Sequence, residues 1–227
     1  MGWKAECVLV NESGPGYFGG MPPHRREQAS ILLAQLYPGV GVRAVCDSNL
    51  LDELEPPESY FAFGAYDAGC VLSDWHELIG CATDGSKPIM PRLLSLFANA
   101  SILVLELHSV TNMFGYALYE KGVLRRVYAG NAEDGVTAEM GQPLPEEEKF
   151  FQDSEVRTGQ RFFRYRIGDH MEEFDAAAMG ETLAFHVAAR FLGVPFDRFP
   201  AELLVMERFR RVGGQWAGCC VEFVIES

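Results

Sequence analysis

Residues 101–130 carry the most regular hydrophobic pattern of the chain. An apolar run ends in a polar cluster, an aromatic-rich run follows at 113–120, and the pair Lys121–Gly122 separates it from a third run. The polar cluster consists of His108, Ser109, Thr111 and Asn112. Runs of β-branched and aromatic residues separated by a short turn containing Gly are typical of strands joined in a hairpin. The pattern therefore predicts adjacent strands at the centre of a sheet.

The remaining hydrophobic pattern predicts further strands and helices. Strand patterns occur at 4–10, 40–46, 60–73, 161–167, 203–212 and 219–225, with Gly64 and Gly69 as candidate bulges. Helical spacing or helix-start signals occur at 22–37, 87–100, 144–148 and 175–192. Asp175 is suited to be the N-cap of the last helix, and the acidic residues before it are expected to be solvated. Residues 131–142 are predicted to be a connection.

The order of these elements indicates the fold class. Strands and helices alternate early in the chain, whereas the later part is rich in antiparallel hairpins. This order predicts an α+β fold, with a single domain over residues 1–227 and a mixed, largely antiparallel sheet flanked by three or four helices. A weak boundary signal lies near 142–154, but the strands on its two sides can join one sheet.

Composition and charge narrow the range of partners. The chain has 19 basic and 32 acidic residues, a net charge of −13, so it repels phosphate backbones and we expect no nucleic-acid binding. No segment has the pattern of a signal peptide, and no apolar run is long enough to cross a bilayer. The six cysteines show no CxxC or zinc-type spacing. These features predict a cytoplasmic protein that binds no membrane and has structural thiols.

The chain resembles a family of uncharacterised bacterial proteins that is commonest in actinobacteria. The shared features are an apolar strand ending in a His-Ser pair, an aromatic strand with a Glu-x-Gly turn, an Asp-Gly loop, and Gly-x-Pro-Leu-Pro. In this sequence they are His108–Ser109, residues 116–122, Asp134–Gly135 and residues 141–145. The similarity is strongest over 103–151, and Asn112–Met113 stands where the family has Asp-Trp. The resemblance supports a single domain and implies no activity or catalytic residues.

The polar end of the central strand is the first candidate site. Glu106 and His108 point to the same side of a strand, where a carboxylate and an imidazole can act as base and orienting group or hold a divalent ion. Ser109 points to the other side if the strand continues, which disfavours a Ser–His nucleophile. The alternative, which we favour, is a buried histidine satisfied by hydrogen bonds, with Ser109 and Asn112 shaping a bend.

A second candidate cluster contains Asp74, His76 and Glu77. Asp74 and His76 can act together with Glu106 or His108 only if folding brings them close, because their spacing matches no established motif. The favoured alternative is a capping Asp74 on a short helix with an exposed His76. Further polar groups at residues 169–175 and at His186 are expected to be solvated or structural.

Two hypotheses about function follow from these clusters. The favoured one is a non-catalytic binding module for a small ligand or a protein, with ligand candidates His108, Ser109, Asn112 and His76. The alternative is a metal-assisted hydrolase or transferase centred on Glu106, His108 and Asp74. We expect no metal, with Glu106 and His108 as the ligands if one is bound. The sequence identifies no cofactor or partner, and a homo-oligomer is compatible with it.

Overall fold

A computed structural model of the chain describes residues 2–78, 80–82 and 87–212, with the side chain of His76 excluded. The strands are β1 Lys4–Asn11, β2 Gly41–Asn49, β3 Tyr60–Tyr66, β4 Gly69–Ser73, β5 Ser101–His108, β6 Met113–Glu120, β7 Val123–Asn131, β8 Gly135–Met140, β9 Ser154–Arg157, β10 Gln160–Ile167, β11 His170–Asp175 and β12 Val205–Val212. The helices are α1 Arg26–Leu36, α2 Trp75–Leu78, α3 Ile89–Leu96, α4 Pro145–Gln152 and α5 Ala176–Leu192. Short 3₁₀ turns lie between them.

The strands form two sheets. Among the described residues, nine strands form the large sheet in the order β2-β12-β3-β4-β1-β5-β6-β7-β8, and β11-β10-β9 form the small one. Every recorded strand pairing is antiparallel. The predicted α+β class with a largely antiparallel sheet is therefore confirmed, and the pairings are more uniformly antiparallel than the expected mixed sheet.

The stretch 101–130 forms β5, β6 and most of β7, as predicted. Strand β5 pairs with β1 on one side and β6 on the other, so it is an internal strand of the large sheet. Its apolar run is continuous because helices cover both faces of the sheet. Helices α4 and α5 pack with one set of alternating strand residues, and α1 and α3 pack with the other. We call the latter side the α1/α3 face.

Several sequence predictions need correction. Residues 60–73 form two strands of a hairpin, and their pairing runs without a register shift, so Gly64 and Gly69 are not bulges. Residues 131–142, predicted as a connection, include β8, and the predicted acidic approach to α5 includes β11. Both strands are largely exposed and lack the apolar alternation that identifies a strand. The N-cap prediction is confirmed, since the Asp175 carboxylate accepts the Ala178 N–H at 2.8 Å.

The last described strand pairs with two strands from the early part of the chain. Strand β12 lies between β2 and β3, so strands from both sides of the weak boundary signal share one sheet. The division into domains itself stays a prediction, and the strand predicted at 219–225 lies outside the described residues. None of the described helices combines the length and apolar composition that a membrane span requires.

Candidate functional site

Three carboxylates lie in a row across neighbouring strands on the α1/α3 face. Glu6 in β1 is directly opposite Glu106 in β5, and Asp74 follows Ser73, which pairs with Cys7. Neighbouring strands lie about 4.8 Å apart, so side chains opposite each other are close neighbours. Glu6 and Asp74 are fully buried and Glu106 is 5% exposed. The fold therefore concentrates carboxyl groups in a place where water cannot solvate them.

Asp74 is neutralised by its partners. Its carboxylate accepts hydrogen bonds from the buried Arg211 guanidinium and, at 2.5 Å, from the Tyr37 hydroxyl. It also accepts the Glu77 N–H at 3.3 Å, at the start of α2. This contact supports the interpretation of Asp74 as a capping residue. Asp74 is thus satisfied within the protein.

Glu106 is held by backbone amides. Gly80 N–H donates to its Oε1 at 2.7 Å, and Ala82 N–H is a second donor. Burial raises the pKa of Glu106, while these two amides act in the opposite direction because they stabilise the ionised carboxylate. Residues 80–82, which we call the covering segment, are therefore fastened to the sheet through this side chain.

Glu6 has no comparable partners. Both of its carboxylate oxygens are buried without a hydrogen bond in the described part of the chain. Burial, followed by the negative charges of Glu106 and Asp74, raises the pKa of Glu6 to about 9. The side chain therefore carries a proton at pH 7. Within the described structure, Glu6 is the unsatisfied member of the row.

The covering segment packs closely over this row. A Cβ built on Gly115, which lies opposite Glu106 on β6, would come within 3.0 Å of the Ala82 Cβ. The buried Cys81 thiol donates to the Glu77 carbonyl at 3.2 Å, and burial together with Glu106 raises its pKa to about 12. The thiol is therefore protonated at neutral pH. Glycine at position 115 allows this short distance between cover and sheet.

The other predicted site residues lie at the end of β5. His108 is half-buried and its Nδ1 is 3.1 Å from the Thr111 hydroxyl. Ser109 Oγ accepts the Trp3 N–H at 2.6 Å and contacts the Glu181 carboxylate. Asn112 is exposed, with a left-handed backbone at φ 48° that ends a 3₁₀ turn. Ser109 and Asn112 lie at a bend, but His108 is half-buried and not buried as expected. The ligand-binding role of His108, Ser109, Asn112 and His76 stays a prediction.

The catalytic candidates are only partly brought together. Glu106 and Asp74 lie in the same row, separated by Glu6, whereas the imidazole of His108 is paired with Thr111. Across the described residues, no group of three or more His, Cys, Asp or Glu side chains is arranged to hold a metal ion. The side chain of His76 is outside the description. The metal-assisted enzyme hypothesis stays a prediction.

Glu6 was not among the predicted site residues, although the sequence contained a signal for it. Side chains along residues 4–10 point alternately to the two faces of the sheet. Glu6 falls on the same side as Val8 and Val10, which are buried against α1 and α3. Apart from Lys4 at the start of the strand, the other positions on this side are apolar, and a carboxylate among them is unusual. Tyr37 and Arg211 were also missed, because they reach Asp74 across 37 and 137 residues of sequence.

A cleft elsewhere in the protein contains charged side chains that are paired with one another. It has a volume of about 680 Å³ and lies beside the first turn of α1. Within it, Nε2 of His24 is 2.9 Å from Glu207, Arg25 forms two hydrogen bonds with Asp67, and Arg26 pairs with Asp47 and Glu207. Because these charged side chains are paired with each other, the row with Glu6 is the stronger candidate site.

The fold and site define an α+β protein in which helices cover both faces of a large antiparallel sheet and a carboxylate row is buried beneath a short covering segment. The chain belongs to the family described as "Family of unknown function (DUF6928)", whose match extends over residues 7–205. No curated protein and no solved structure matched the chain.

Proposed function

We propose that the protein is a non-catalytic binding module that takes a small ligand at the Glu6–Glu106 pair. One observation carries this proposal: Glu6 is fully buried, and neither of its oxygens has a partner within the described structure. Burying an unpaired polar group is unfavourable by about 1–3 kcal/mol, so such groups are rare in natural proteins. A ligand that donates to Glu6 removes this penalty.

The ligand must supply what the protein does not. Glu6 and Glu106 together offer carboxylate oxygens, which accept hydrogen bonds and attract positive charge. A ligand with donors or a positive charge therefore complements the pair. Because the pair is buried, the ligand is small and enters when the covering segment moves away from Glu106.

The contacts favour binding over metal-assisted catalysis. Asp74, a proposed catalytic group, is engaged by Arg211 and Tyr37, and His108 interacts with Thr111. Neither is available in this arrangement as a base next to Glu106. The Glu6–Glu106 pair retains unfilled acceptor capacity, which suits a receptor for a cationic group.

The charge and the cysteines of the chain support a cytoplasmic location for this module. A net charge of −13 disfavours contact with nucleic acid. Cys7, Cys70 and Cys81 are buried free thiols, as expected for a chain kept in a reducing compartment. We therefore place the binding module in the cytoplasm, away from membranes and nucleic acids.

Thermal unfolding with a panel of cations tests this proposal. The panel contains Mg²⁺, Ca²⁺, Mn²⁺, Zn²⁺, ammonium and methylammonium, each titrated at constant ionic strength. A ligand present at a hundred times its Kd stabilises by about 2.7 kcal/mol, which raises the Tm of a chain of this size by about 5–10 °C. We expect at least one member to give a saturating increase.

Two variants make the experiment specific to the pair. Glu6→Gln keeps the size of the side chain and should abolish the increase in Tm. Glu55→Gln makes the same carboxyl-to-amide change at a neighbouring residue that is paired with Lys4 at the surface, and it should retain the increase. The proposal is overturned if no cation stabilises the protein, or if Glu6→Gln responds as the wild type does.

A further inference from the structure

We propose that the ligand of this site is a small alkylammonium ion, which takes the place of the proton that Glu6 carries in the empty protein. This inference rests on the proposed function and names the chemical class of the ligand.

The number of available acceptors points to an ammonium group. Among the described residues, nothing donates to either oxygen of Glu6, and Glu106 accepts two backbone amides but has acceptor capacity left. A primary ammonium group carries one positive charge and three N–H donors, which match this set. Zn²⁺ in structural sites takes about four ligands and Ca²⁺ about six to eight. The described side chains form no group of that kind.

The surroundings of the pair suit a short alkyl group. Val8 and Val104 are the next directly opposed pair on the same face, and both are fully buried. The Ala82 methyl group lies above the sheet on the covering segment. An alkyl chain next to these groups replaces contact with water by contact with apolar surface.

Exchange of a proton for an ammonium ion conserves the charge of the buried site. In the empty protein the carboxyl O–H of Glu6 is intact. When the ammonium ion binds, that bond breaks heterolytically, the proton passes to water or buffer, and the carboxylate keeps the electron pair. One positive charge enters as one leaves, so no additional net charge is buried.

The other charged groups near Glu6 leave this balance in place. The groups that act on it from other elements are Asp74 after β4, Glu106 in β5, Glu55 before β3, Lys87 before α3 and Cys81 in the covering segment. Asp74 is offset by Arg211, and the Cys81 thiol is protonated. Lys87 favours the ionised form of both glutamates, so positive charge is already accommodated nearby.

Calorimetric titration of the full chain with methylammonium chloride tests the exchange. Titrations at pH 7 in phosphate and in HEPES, which have different ionisation enthalpies, count the protons released. We expect about one proton per ligand, and a rise in affinity of about tenfold per pH unit between pH 6 and pH 8. Tetramethylammonium has the same charge but no N–H donor, and we expect no binding.

Variants separate this inference from the proposed function. Glu6→Gln should lose methylammonium binding, whereas Glu55→Gln should keep both affinity and proton release. If a divalent ion binds through Glu6 and methylammonium does not, the inference is wrong and the proposed function stands. Binding without proton release also overturns the exchange. If no cation binds, both proposals fail.

Discussion

Glu6 and Glu106 lie directly opposite each other on two internal strands, with both carboxyl groups buried on the α1/α3 face of the sheet. Like charges in this relationship are unfavourable, because cross-strand neighbours are close and water is excluded. The protein reduces this electrostatic repulsion in a different way at each of the two residues. Glu106 receives two backbone amides, whereas Glu6 keeps a proton. The protonation of Glu6 therefore links the stability of the fold to pH.

The first prediction concerns the pH dependence of stability. In the folded protein the pKa of Glu6 is about 9, compared with 4.5 for the unperturbed group. Below pH 4.5 both states hold the proton, and as pH rises from 4.5 to 9 only the unfolded state releases it. The free energy of unfolding should therefore fall by up to about 1.4 kcal/mol per pH unit from this group, about 3 kcal/mol by pH 7. Urea unfolding at several pH values measures this slope.

Glu6→Gln provides the comparison for this slope. The amide resembles the protonated acid and does not titrate, so the variant should lose this contribution and be more stable than the wild type at pH 8. Glu55→Gln, which changes an exposed side chain, should keep the slope. Identical slopes in wild type and Glu6→Gln would show that Glu6 titrates normally in the folded state.

The second prediction concerns the buried ion pair at the end of the carboxylate row. Asp74→Asn removes the carboxylate charge that faces the buried Arg211 guanidinium and weakens the contact with the Tyr37 hydroxyl. Removing one member of a buried pair is typically destabilising by about 3–5 kcal/mol. The free energy of unfolding, obtained from urea titration at pH 7, should fall by this amount.

An exposed ion pair offers a matched control for Asp74→Asn. Asp67 makes two hydrogen bonds to Arg25, but both side chains are about half exposed or more. Asp67→Asn should therefore change the free energy of unfolding far less than Asp74→Asn does. Equal effects of the two substitutions would contradict the view that burial makes the Asp74 contact important.

The sequence predicted the parts of the fold in which pattern and burial agree. The run at 101–107 and the helix after Asp175 were located correctly because their side chains pack on the core. Strands β8, β9 and β11 were missed, since their side chains are mostly exposed. These strands are defined by backbone pairing, which leaves little trace in the sequence. Arg211 approaches Asp74 only after β12 has inserted beside β3, which local pattern cannot show.

The site was predictable only in part for a related reason. Glu106 and Asp74 attracted attention because they lie beside histidines, yet the structure pairs them around Glu6. Strand register decides which residues lie opposite each other, and a shift of one position would place Glu6 on the other face. Register depends on the whole sheet. The row of carboxylates is therefore a property of the assembled fold.

The covering segment is held close to the sheet by the absence of a side chain at Gly115. A methyl group at this position would lie 3.0 Å from the Ala82 Cβ and 3.4 Å from the Ala129 Cβ. Strand β6 is paired on both sides, so its backbone has little freedom to move. The covering segment is attached to the sheet through the two amides that bind Glu106. We therefore expect the covering segment to move before the backbone of β6 does.

The third prediction follows from this geometry. Gly115→Ala should displace Ala82 by a few tenths of an ångström and lengthen the amide contacts to Glu106, with a loss of stability of about 1 kcal/mol. Hydrogen exchange at the Gly80 and Ala82 amides should accelerate more than exchange within β5 and β6, because local opening of the cover becomes easier while the paired strands stay closed. Gly20→Ala, where no atom lies within 4 Å of the added carbon, should leave these amides unchanged. Uniform acceleration across the sheet would instead mean that Gly115 supports the sheet as a whole and that the covering segment has no separate opening.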